Sequence, residues 1–195
     1  ICVGPATYTV TGSSSSNGTI LWTSSSGGTF VDATADNPVY NISATDNTNG
    51  SVTLTKTVST VLGICADAVD AMVLTITPQS VAAAAGADID QCNTSTFTLS
   101  ANAATNGGLG TWSISGADPG ITITNVNSPT TTVTGLTAGN TVTLIWTITN
   151  GSCTPTTDDI VLTNDVQPTS VVGSDDEICV GPATYTVTGS SSSNG

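Results

Sequence analysis

The chain has 195 residues and carries fourteen acidic side chains against a single base, Lys56, for a formal charge of −13. With no basic patch, it is a poor match for nucleic acid or an anionic membrane surface. It has neither histidine nor arginine, so the usual nucleophile–base arrangements cannot be assembled, and no apolar run approaches the roughly 18 residues a membrane span needs.

Thr, Ser, Val and Ile dominate while helix formers are scarce, a composition that favours strands and turns. In chain order, Thr7 to Gly12 alternates and places Tyr8 and Val10 on one face. Ser13 to Ser16 and the following Asn17-Gly18 read as an exposed loop. Ile20 and Trp22 share the next alternating face, Asn37 to Ser43 supplies another short segment, and Ser51 to Ser59 aligns Val52, Leu54, Lys56 and Val58. Cys65 and a last strand, Ala71 to Ile76, close the first half.

The second half answers segment by segment. Thr96 to Ala101 echoes Thr7 to Gly12, Ser128 to Thr134 echoes Asn37 to Ser43, and Thr141 to Thr149 echoes Ser51 to Ser59. Cys153 and Asp159 to Asn164 then answer Cys65 and Ala71 to Ile76. Cys2 precedes Trp22 by the same interval that separates Cys92 from Trp112. About seven short strands per half, punctuated by Gly, Asn, Asp and Ser, predict an all-β fold of tandem Ig-like β-sandwiches with negligible helix. The expected domains are residues 1–78 and 79–168, with Trp22 and Trp112 as core residues.

A longer repeat frames these two. Ile1 to Gly18 recurs without a mismatch as Ile178 to Gly195, so residues 169–195 are expected to open the next copy of a 177-residue block. One local sequence is expected to take one local structure at both places.

Four cysteines fall in each block: Cys2, Cys65, Cys92 and Cys153, with Cys179 the copy of Cys2. An even set without CxxC spacing reads as disulfides in an oxidising compartment. Equivalent points of a repeated domain suggest Cys2–Cys65 and Cys92–Cys153, leaving Cys179 without a partner. Acidic groups at the domain entrances, Asp88 and Asp90 before Cys92 and Asp175, Asp176 and Glu177 before Cys179, are the candidate calcium ligands. Asp158 and Asp159 could contribute from below. The spacing matches no EF-hand or nonapeptide loop, and acidic linkers are commonly just solvated. Lys56 falls where the second half has Trp146; it either snorkels at a sheet rim or is buried and paired. Two carboxylates could in principle perform glycoside chemistry, but these sit in turns and linkers, and no enzyme is expected.

Gly110 to Ser113, Asn127 to Leu136, Thr143 to Cys153 and Asp158 to Thr163 resemble the Ig-like or PKD-like repeats of giant surface proteins of Bacteroidota. The resemblance implies a secreted, non-catalytic tandem-repeat stalk or adhesin, exported by the type IX system and anchored at the cell surface. Its partners would be further copies of the repeat, in the same chain and in neighbouring chains. The other function carried forward is an adhesive module that grips glycans or other cells through repeated loops.

Overall fold

The computed structural model describes residues 1–60, 62–177, 181, 184 and 186–193. Strands account for 44% of the described residues and helix for 3%, in agreement with the expected all-β class. The first half contains β1 (Thr7–Thr9), β2 (Thr19–Ser24), β3 (Thr29–Phe30), β4 (Val39–Asn41), α1 (Ala44–Asn49), β5 (Ser51–Ser59) and β6 (Ala68–Thr75). They form two sheets, ordered β1-β4-β3 and β2-β5-β6, around Val10, Trp22, Tyr40, Val52, Leu54 and Ile76. Alternation along β5 does this directly, because Val52, Leu54 and Lys56 point inward while the threonines between them are less buried.

The second half contains β7 (Ile89–Cys92), β8 (Thr96–Ser100), β9 (Leu109–Ser115), β10 (Thr122–Ile123), β11 (Thr130–Thr134), β12 (Asn140–Thr149) and β13 (Thr156–Asp165). Its sheets run β10-β11-β8 and β7-β13-β12-β9. Along β12 the predicted face is the buried one: Val142, Leu144, Trp146 and Ile148 are all at most 5% exposed.

The halves pair the same segments with a two-residue shift. Thr7 pairs with Asn41 and Tyr8 with Tyr40, whereas their sequence echoes Thr96 and Phe97 pair with Thr134 and Val133. Val10 N donates to Pro38 O at 3.0 Å, and Ala101 N donates to Pro129 O at 3.0 Å. Trp22 Nε1 donates to Ala35 O at 3.0 Å, as Trp112 Nε1 does to Ser128 O at 3.1 Å. Each half also receives its opening residues in parallel against its last strand: Cys2 lies opposite Thr77, and Cys92 opposite Asp165.

Two compact units emerge. The first joins Ile1–Ala82 with Ala103–Gly110 and Ile148–Thr156; the second joins Ala83–Asn102, Thr111–Thr147 and the described residues from Thr157 onward. The turn after β12 therefore belongs to the first unit.

One local expectation fails, and one element falls in a stretch the strand reading left unassigned. That element is α1, short enough to keep the helix content negligible. Ser43 caps it by accepting from Asp46 N, the Asp46 carboxylate accepts from Ser43 N, and Gly50 ends it at φ 70°. The 18-residue copies also differ. β1 has no counterpart at Thr184 and Thr186, whereas β15 (Ser191–Ser193) pairs with β14 (Thr169–Val171) although its equivalents, Ser14 to Ser16, lie in no strand. A strand exists only where a second strand supplies its hydrogen bonds, as Val39–Asn41 does for β1 and Thr169–Val171 does for β15.

Candidate functional site

Three features of the first unit stand out chemically: a buried lysine beside a tryptophan, a buried aspartate at a helix cap, and a disulfide. Lys56 enters from β5 directly opposite Trp22 of β2, and its side chain is 7% exposed. Its Nζ donates to Asp36 Oδ1 at 2.7 Å and to Ser13 Oγ at 2.9 Å, and lies 5.8 Å from the Trp22 ring centre. This corrects the snorkelling expectation. The β5 face is the core face, so the stem lies among core side chains and the ammonium is held by its polar partners and not led out over the sheet rim. The contact to Asp36 is a noncovalent ion pair.

The correspondence with Trp146 is spatial as well. Trp146 packs on Trp112 with ring centres 5.0 Å apart and donates Nε1 to Asn102 O at 3.1 Å. Lys56 packs on Trp22 and donates to Ser13, so the two side chains tie their sheets to the segments that follow β1 and β8. The hydrogen bond from Lys56, followed by the one from Ser15, holds the Asp36 carboxyl below the ordinary carboxylate range.

An open cavity of about 530 Å³ lies over this group, lined by Ser13 to Ser16, Trp22, Lys56 and residues 68–72 of β6. Its polar wall is the serine loop. Trp22 is only 5% exposed, so it offers no flat ring face to a sugar, and its role is core packing with a cation–π contact.

Asp46 was not singled out from the sequence. It is fully buried and accepts from Tyr40 OH at 3.0 Å, Ser43 N at 2.7 Å, Ser43 Oγ at 2.9 Å and Ser26 Oγ. Burial pushes its carboxyl up, but the hydrogen bonds from Ser26, Ser43 and Tyr40 outweigh that and hold it below the ordinary value of 3.8. Burial raises Tyr40 above its ordinary value of 10.0. The signal was available: Ser43 followed three residues later by Asp46, with Gly50 just past the last turn, is a capping-box pattern.

The cysteines correct the expected pairing. Cys2 is bonded to Cys153, while Cys65 and Cys92 are exposed free thiols. Cys2 sits at the parallel bridge to Thr77, and the turn after β12 is seated there too. Asn150 Nδ2 donates to Pro78 O at 2.7 Å and to Asn106 O at 2.9 Å, and Cys153 Sγ lies 3.5 Å from Thr77 O. Matching spacings made Cys65 the natural mate for Cys2, but the last hairpin of the first half carries Cys65 into solvent. Cys179 lies outside the described residues.

The acidic candidates are not gathered. Asp88 Oδ1 accepts from Val161 N at 2.8 Å, Asp158 Oδ2 from Ala85 N at 2.7 Å, and Asp176 Oδ1 from Glu177 N at 2.9 Å. Asp90, Asp159 and Asp175 are exposed. Among the described residues no three His, Cys, Asp or Glu side chains converge as a metal site would require, so calcium has no preassembled ligand set there. Asp88 and Asp158 instead tie backbone within the second unit.

No protein-family model matches the sequence, and no curated protein matches it. Among solved structures, the chain is similar to the solution structure of the PKD domain from KIAA 1837 protein, at 20% identity and a TM-score of 0.39, covering 55% of this chain and 96% of that one. It is similar to Rst D1-D2 at 15% identity and a TM-score of 0.45, covering 85% and 93%. For the N-terminal eight Ig domains of Down Syndrome Cell Adhesion Molecule the values are 15% and 0.47, and the likeness covers 75% of this chain but spans only 20% of that one. Likenesses this weak carry no function across. No helix among the described residues is long and apolar enough to cross a membrane.

Proposed function

We propose that this chain is a non-catalytic structural repeat unit of an extracellular stalk or filament at the cell surface. The block is read as two sandwich domains, residues 1–78 and 79–168, with residues 169–195 opening the next copy. The observation that carries this is the reuse of one strand pairing and one parallel entry. β1 pairs with β4 as β8 pairs with β11, the second pair shifted by two residues relative to the sequence echo, and Cys2 opposite Thr77 recurs as Cys92 opposite Asp165. The 18-residue identity then extends the series beyond the pair. A charge of −13 with a single Lys suits exposure outside a cell, since trypsin-like proteases find one target per block.

Chains built from one, two and four blocks test the reading by small-angle scattering. The longest dimension should grow linearly, by roughly 35–45 Å per sandwich at ~3.3 Å per strand residue. Growth of a compact particle would overturn it. A second reading, an adhesive module for glycans, is served by the cavity beside Ser13 to Ser16. Glycan-array binding that is lost when that loop is replaced would favour it; binding that survives the replacement, or none, would remove it.

A further inference from the structure

We infer that Cys92 and Cys65 are the two halves of a second disulfide, formed between successive copies of the block, Cys92 of one copy with Cys65 of the copy that follows. The template is the bond already present. Cys2 lies opposite Thr77 at the parallel entry of the first half, and its mate Cys153 comes from the connection between the two longest strands of the second half, β12 and β13. Cys92 lies opposite Asp165 at the parallel entry of the second half, so its register position is that of Cys2. Cys65 lies in the connection between β5 and β6, so its place is that of Cys153. The half that follows the second is a further copy of the first, and its hairpin carries Cys65.

The turns agree in detail. Leu62-Gly63-Ile64-Cys65 corresponds to Asn150-Gly151-Ser152-Cys153, and both glycines are left-handed, at φ 63° and 49°. At Gly151 a Cβ would come to 3.0 Å from the Thr77 side chain, so the tip is pressed closely onto the residue opposite Cys2. Burial tracks occupancy. Cys153, with its mate, is 5% exposed, whereas Cys65 and Cys92 are both exposed.

Side chains around the unfilled joint complement one another. Leu62 and Ile64 flank Gly63 and are each 80% exposed, an unusual cost for a turn facing only water. Val166 follows Asp165 as Pro78 follows Thr77, and it is 44% exposed. Where Asn150 hydrogen-bonds Pro78 in the filled joint, Leu62 of an incoming copy would meet Val166, replacing a polar contact with an apolar one. Two thiols close the bond by giving up two protons and two electrons to a disulfide oxidant such as oxidised glutathione, which leaves as two thiols. The inference takes the identity of the mate from the repeat-unit reading, and adds that the joints are covalent and directional.

Two chains of identical composition test it, each writing the block twice. In one, Cys65→Ser is placed in the first block and Cys92→Ser in the second, so the remaining pair faces across the junction. In the other the two substitutions are exchanged, so the remaining Cys65 and Cys92 sit at opposite ends. After refolding with glutathione, thiol titration and non-reduced peptide mapping should find the pair bonded in the first chain and two free thiols in the second. Cys2–Cys153 should be closed in both. Equal oxidation or equal freedom in the two chains would overturn the joint, as would loss of Cys2–Cys153. Scattering from the same samples separates the two ideas: a rod with free junction thiols sinks the covalent joint alone, while a compact particle sinks the repeat-unit reading.

Discussion

Asp46 holds a charge in a fully buried place, and four hydrogen-bond donors make that stable. Its folded carboxyl titrates below the ordinary 3.8, so the fold prefers the ionised form more strongly than the unfolded chain does. That contribution is complete above 3.8 and is lost as the pH falls through the folded value. Asp36, held down chiefly by Lys56, and Asp32, held down chiefly by Thr34, act in the same direction. Unfolding free energy measured in urea should therefore be flat above about pH 5 and fall on further acidification. Asp46→Asn should make the fall shallower, and an unchanged slope would show that Asp46 is not a source of it. Gly28 is the other decisive residue. A Cβ there would collide with the Tyr40 hydroxyl and ring and with Asn41 O, part of the packing that holds Tyr40 against Asp46. Gly28→Ala should cost about 1–3 kcal/mol by overpacking, read as a lower urea midpoint.

At the scale of elements, each half hangs on one tryptophan donating its Nε1 to the loop that leads into β4 or β11. Trp112→Ala removes a buried ring that also packs on Trp146, and should cost about 3–5 kcal/mol in chemical unfolding. α1 depends on its cap. Ser43→Ala deletes the acceptor for Asp46 N and one donor to the Asp46 carboxylate, and should cost about 1 kcal/mol, with loss of hydrogen-exchange protection confined to residues 44–50. Strands with alternating burial, such as β5 and β12, were legible because a period of two is printed in the residues themselves. α1 was not, since six helical residues carry no periodicity and only the cap marks them.

Over the whole molecule, the Cys2–Cys153 bond spans 151 residues of sequence and sets which turn is held at the first entry strand. Breaking it with Cys153→Ser should cost roughly 2–5 kcal/mol, because closure of so long a loop restricts the unfolded chain most. The loss should be accompanied by faster exchange at Thr77 and Asn150, which meet at that joint. By itself the sequence determined what is local or repeated: the all-β class, the inward faces of β5 and β12, the two tryptophan cores and the 177-residue recurrence. Tertiary structure alone decided the mate of Cys2, the burial of Lys56 against Trp22 and Asp36, and the dispersal of the acidic groups. Each of these depends on which distant segment arrives alongside, and pairing across space leaves no periodic trace in either segment alone.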